Sequence, residues 1–285
     1  MMKIAPLIHS RTFECDFNPN FAVLPNDFND SDIQWARNKI LPATSDLDIL
    51  NDIRFVVASN HCKHIAGVAC ILKFFADHYL TTDEQNEAKD FFYDDKGRAV
   101  KMFIGYSISG SSISANDIPD INYSDFWKMF KEHLAPVWKR KVSETVKVPY
   151  GECKTKRINI VNVNAIDTFN ITTLYEASPS NNNKIFEKAL SEVTSKEITF
   201  CSNVDKMKIV EDGIFTAVTT TTNIIERLAD KKKQLSNKLK QDQQQVAPTP
   251  HMRQLKSQPR KNMSLLIIGA IVLIILVVIL FLLMN

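Results

Sequence analysis

The chain has 285 residues, is 45% hydrophobic and 24% charged, and carries a formal net charge of +3. That balance is globular and excludes a disordered or collagen-like chain. The charge is unevenly placed. Residues 231 to 262 hold nine Lys or Arg against one acid, Asp242, which leaves −5 for residues 1 to 230. An acidic body, with a basic stretch that lacks interleaved aromatics, argues against nucleic-acid binding.

In chain order, Met2 to Phe13 reads as an early strand or strand pair broken at Pro6. Asn18 to Asn29 reads as loop, and Ser31 as the cap of a short helix, Asp32 to Ile40, stopped by Pro42. Residues 52 to 75 give the strongest strand signal: two β-branched and aromatic runs, separated by Asn60-His61-Cys62-Lys63-His64, predict a hairpin with that pentapeptide at its tip. A helix follows over Thr82 to Asp90, with Thr82 as cap and Gln85 three residues on. Asp94 to Gly97 is a turn, and the strand resumes over Arg98 to Ile108.

After a polar loop, Ser124 is read as capping a helix from Asp125 to about Lys141. Its Phe126, Phe130, Leu134 and Val137 recur at helical spacing, and Pro136 should interrupt it. Lys156 to Ala165 and Asp167 to Tyr175 look like strands, followed by a turn, a helix near Ile185 to Val193 and a short strand from Glu197 to Cys201. Helices and strands alternate without a regular βαβ period. The expectation is a mixed α/β or α+β domain over residues 1–212.

Residues 213–246 are expected to form a neck. Strand and helix both remain open for 214–222. From Asn223, with Glu226 three residues later, helix is favoured. Ile225, Leu228, Leu235 and Leu239 fall at a and d positions of a heptad and predict self-association through the neck, although Lys232 and Asp242 occupy core positions of that register. Pro248 and Pro250 end it, and 247–262 reads as a basic linker.

Residues 263–284 contain no charge. At helical rise they would be roughly 33 Å long, enough for a hydrocarbon core of about 30 Å. This predicts a single-pass transmembrane tail anchor. Lys256, Arg260 and Lys261 flank it on one side, which places the N-terminal domain in the cytoplasm. Five cysteines without framework spacing suit free thiols in a reducing compartment.

His61, Cys62 and His64 are acceptable zinc donors, but adjacent side chains at a hairpin tip diverge, and an exposed polar turn is the expectation. The serine-rich stretch 107–114 lacks the glycine spacing of a phosphate cradle. No catalytic residue and no cofactor is therefore assigned. The order of α/β domain, heptad-bearing helix and apolar anchor resembles, in architecture alone, the membrane-fusion SNARE proteins with a longin head. That resemblance implies a trafficking role, but the register breaks at Lys232 and Asp242 and a proline-containing linker intervenes. The leading expectation is a binding or signalling module at a lipid bilayer, with an oligomerising membrane effector of defence or cell-death type as a variant. A membrane-tethered enzyme with an unrecognised site is the alternative from a different class.

Overall fold

The computed structural model describes residues 2–16, 21–109, 116–139 and 144–245. The linker 247–262, with Lys256, Arg260 and Lys261, and the apolar segment 263–284 lie outside them, and no helix among the described residues is long and apolar enough to cross a membrane.

The expected hairpin forms the middle of the molecule. Strand β3 (Arg54–Ser59) pairs antiparallel with β4 (His64–Ile71), from Arg54 opposite Ala69 to Ser59 opposite His64. The Asn60 side chain closes the turn by accepting from the backbone of Cys62 and Lys63 at 2.8 and 2.7 Å. Both strands are almost wholly buried, which is why they read as continuous apolar runs. The chain leaves β4 earlier than expected. Helix α3 (Leu72–Tyr79) begins at once, because Leu72, Phe75 and Ala76, spaced for one helix face, are all buried on the same side.

Around this hairpin the sheet is antiparallel. Strand β5 (Lys101–Ser109) pairs with β4, and β1 (Lys3–Ser10) pairs with β5 along its whole length. Pro6 therefore does not break β1. The second edge of β1 is covered by β8 (Gly151–Glu152) opposite Lys3 and Ile4 and by β2 (Val23–Pro25) opposite Ile8, and Pro6 falls between them, where a missing N–H costs least. Strand β7 (Val146–Val148) runs parallel to β2 at that end.

The other half is parallel at its core. Strands β11 (Thr172–Glu176), β13 (Ala217–Thr220) and β12 (Thr199–Val204) lie in that order, and β12 joins the hairpin antiparallel to β3. Helix α6 (Pro179–Glu192) carries the chain from β11 to β12 over one face. Helix α7 (Met207–Glu211) returns it to β13 over the other. Opposite directions on opposite faces keep both crossovers the same hand. Strand β10 (Asp167–Phe169), antiparallel to β11, closes this end of the sheet.

Helices cover both faces. One core holds α3, α4 (Thr82–Ala88), α5 (Tyr123–Met129) and α6; the other holds α1 (Asp30–Thr44), α2 (Leu47–Leu50), α7 and the start of α8 (Thr222–Gln245). The domain is thus a mixed α/β layer structure. The segment expected as one helix from Asp125 to Lys141 continues from α5 as a π-turn at Phe130–Leu134 and a 3₁₀ turn at Ala135–Val137, which accommodates Pro136. Of the expected strand over 156–165, only β9 (Thr155–Arg157) forms, pairing with β6 (Asp117–Pro119) in a separate ribbon.

The end of the domain differs most from expectation. Strand β13 lies past residue 212, yet it is an interior strand, bonded to β11 on one side and β12 on the other. Residues 217–220 are strand, and the first compact unit continues to Ser236.

Candidate functional site

A cavity of about 290 Å³ opens between the sheet and helix α6. Phe55 of β3 and Tyr106 of β5 form its floor; Phe126 of α5, Phe186 and Leu190 of α6, and Ile118 of β6 form its walls. Their placement follows from the ladders and the helix repeat. Phe55 and Tyr106 project to the same face of the sheet, and Phe186 and Leu190 stand four apart on α6. The Phe55 and Phe186 rings lie 4.7 Å apart, and those of Tyr106 and Phe126 lie 6.2 Å apart and stacked.

The rim is polar. Lys156, opposite Ile118 in the β6–β9 ribbon, pairs with Glu187 of α6 at 3.1 Å. Asn122 and Asn183 stand beside them, and Asn122 is already committed as the α5 cap. Tyr123 also lines the rim, its phenol pushed up in pKa by burial and then by the Asp52 carboxylate. Burial raises the Tyr106 phenol as well, so both phenols are neutral at physiological pH.

A satisfied polar network adjoins this rim. The Tyr123 ring lies 4.6 Å from that of Tyr79, whose hydroxyl donates to Asp52 at 2.9 Å. Asn203 donates to the other Asp52 oxygen and accepts from Asn182, both at 3.0 Å. Asn203 sits at φ 52°, at the register shift of β12. Next to it, fully buried Arg54 donates to the carbonyls of Ala43, Ser45 and Asn203 and to the Asp205 carboxylate at 2.7 Å. Every group in this set is engaged, so it braces the pocket's end of the sheet. Sequence reading missed it, because its members come from four distant segments and share no motif.

Chemically, the pocket offers aromatic faces and one ion pair. That suits a compact apolar group with a polar edge. No Cys, His or Ser is among the described lining residues. A wider groove, about 570 Å³, runs past Cys153, His133, Glu152 and Asp125. The Cys153 thiol is raised by burial and donates to the Lys154 carbonyl, which keeps it protonated and unreactive at neutral pH.

No protein-family model, curated protein or solved structure matches this chain.

The residues singled out in the sequence take varied positions. His61 is exposed and pairs with Glu197 at 3.2 Å, Cys62 is exposed, and His64 begins β4 half-buried, with its imidazole pKa lowered by burial. Among the described residues no group of three or more His, Cys, Asp or Glu is arranged to hold a metal. The heptad stripe is divided: Ile225 and Leu228 are buried, Leu228 within the core beneath the sheet, while Leu235 and Leu239 are 49% and 62% exposed. Residues 110–114 of the serine-rich stretch lie outside the described residues, as do Lys256, Arg260 and Lys261.

Proposed function

We propose that this protein is a single-pass membrane protein whose α/β domain serves, on the cytoplasmic side, as a binding or signalling module. The observation that carries the reading is the uncharged run 263–284 with Lys256, Arg260 and Lys261 on one flank. The aromatic pocket under α6 supports a binding role, because it offers apolar area and an already neutralised rim rather than an exposed charge set. Self-association through the distal part of α8 belongs to the same reading, since Leu235 and Leu239 keep apolar surface exposed there.

The test has two arms. Alkaline carbonate should leave the full chain in the membrane fraction, and protease added to sealed vesicles from the cytoplasmic side should digest the domain. Release by carbonate, or a protected domain, overturns the membrane reading. Native mass spectrometry of the detergent-solubilised chain should show a small non-covalent adduct that Leu190→Trp, which fills the pocket, displaces. Adduct-free spectra for both forms count against ligand binding.

A further inference from the structure

We infer that the ligand of the aromatic pocket is a small uncharged molecule with an apolar body and a carbonyl oxygen, and that the Tyr106 hydroxyl donates the hydrogen bond that selects it. The inference rests on the ligand-binding reading of that pocket and names what the pocket takes.

Tyr106 is 1% exposed, the most buried tyrosine among the described residues, and it lines the cavity. Its hydroxyl has no hydrogen-bond partner among those residues. Two less buried tyrosines are engaged: Tyr79 donates to Asp52, and Tyr150 shares a bond with Ser107, each at 2.9 Å. A buried phenol usually finds a partner, because an unmet donor forfeits the bond it had with water.

The surroundings explain why Tyr106 has none. Opposite it across the two ladders stand Pro6 of β1 and Ala66 of β4, neither with a polar side chain. The Cys153 thiol, the titratable group that bears on this phenol, is committed to the Lys154 carbonyl at 3.0 Å. On the rim, Lys156 and Glu187 hold each other, and Asn122 caps α5. Stacking on Phe126 fixes the Tyr106 ring, so the hydroxyl is positioned before any ligand arrives.

These features select the ligand. A donor without an acceptor calls for an acceptor, and a carbonyl supplies one without bringing a further donor that the apolar walls would leave unmet. Burial keeps the phenol neutral, and the only charges among the described lining residues neutralise each other. An anion or a cation would therefore lose its hydration without gaining a counter-charge. Phe55, Phe126 and Phe186 leave an apolar body as the remainder of the ligand. A cavity of about 290 Å³ stands at the small end of ligand sites, which suits a ring with a short substituent.

Acetophenone, ethylbenzene and benzoate are matched probes: a ring with a carbonyl, without one, and with a charge. Isoleucine-methyl NMR of the full chain in detergent follows Ile118 and Ile121 during each titration, since both line the pocket. Acetophenone should shift both methyls, and Tyr106→Phe should weaken its binding about tenfold while changing that of ethylbenzene less than about twofold. Detergent takes up each probe equally beside parent and variant, so these ratios stand. Benzoate should leave the methyls unmoved. Tyr106→Phe should not lower the thermal midpoint, because its hydroxyl has no partner to lose. Equal weakening of acetophenone and ethylbenzene by Tyr106→Phe, no weakening of either, a preference for benzoate, or a lowered midpoint would each overturn the inference and leave the pocket reading in place. If no probe moves the methyls, or if Leu190→Trp binds acetophenone as the parent does, the pocket reading falls and the inference falls with it.

Discussion

The ammonium of Lys232 lies 3.0 Å from a carboxylate oxygen of Asp167 and 3.1 Å from the Thr168 carbonyl, tying helix α8 to the outermost strand of the sheet. The hydrogen bond from Lys232 holds the Asp167 carboxyl below its ordinary range. Lys232 is one of the two residues that interrupt the heptad register, and here it has a use that no heptad assigns. The helix is a domain element over its first turns, with Ile224, Ile225 and Leu228 buried.

That division predicts unequal costs along one stripe. Leu228→Ala should destabilise the domain by about 2–5 kcal/mol, as buried leucines do. Leu235→Ala and Leu239→Ala should stay within about 0.5 kcal/mol, as exposed positions do. Lys232→Met removes a pair between partly exposed groups and should cost no more than about 1 kcal/mol. Denaturant unfolding of the four variants checks this, and equal small effects along the stripe would show that α8 does not belong to the core.

Truncation offers a sharper contrast. A chain cut at Asp212 lacks β13, which leaves β11 and β12 without the strand between them and the Val218 position of the core empty. It should fail to fold, while a chain cut at Ser236 should give a cooperative melt. A well-folded product from the shorter chain would refute the placement of β13.

Gly67 and Gly105 face each other directly across β4 and β5. A Cβ on either would approach the opposite backbone and the edge of the Phe103 ring closer than 3.0 Å. Backbone cannot yield as a flexible side chain can, so Gly105→Ala should cost more than about 2 kcal/mol, beyond the typical single substitution. A thermal midpoint within a degree or two of the parent's would mean that the two strands can separate locally.

Asp94 predicts a pH effect. Burial works against its charge, but the Arg98 backbone, the Arg11 and Arg98 guanidinium groups and the Lys96 backbone together hold its carboxyl down to about 2. A free Asp titrates near 3.9, so the unfolded chain takes up the proton first. The stability this carboxylate contributes is complete above the unfolded value and is lost as pH falls from about 4 through about 2. Asp94→Asn should therefore be less stable than the parent at pH 7, with the gap closing over that window. A gap of constant size from pH 7 to pH 2 would show that the charge is not what matters.

Several local features were close to legible. Helices α1, α4 and α5 exist where expected, but each cap lies one or two residues earlier. Asn29, Thr81 and Asn122 are the caps, reciprocated by Asp32, Glu84 and Asp125. Two of those three partners are Asp, which a search for Glu or Gln three residues on overlooks. Helix α1 also runs through Pro42, which lies in its last turn, two residues before Thr44. The pocket was not legible at all. Phe55, Tyr106, Phe126 and Phe186 each satisfy the pattern of an ordinary core position, and nothing in the sequence says that four such positions leave space between them.

By itself the sequence determined the mixed class of the domain, the central hairpin, most of the helices and the uncharged run at 263–284, because hydrophobic periodicity and turn chemistry act over a few neighbouring residues. Tertiary structure decided that Ala217–Thr220 inserts between β11 and β12, that α8 buries its first turns and leaves Leu235 open, and that residues 159–165 join no ladder among the described residues. Strand partners are chosen across tens or hundreds of residues by which edge and which face remain unfilled. No window of the sequence contains that information.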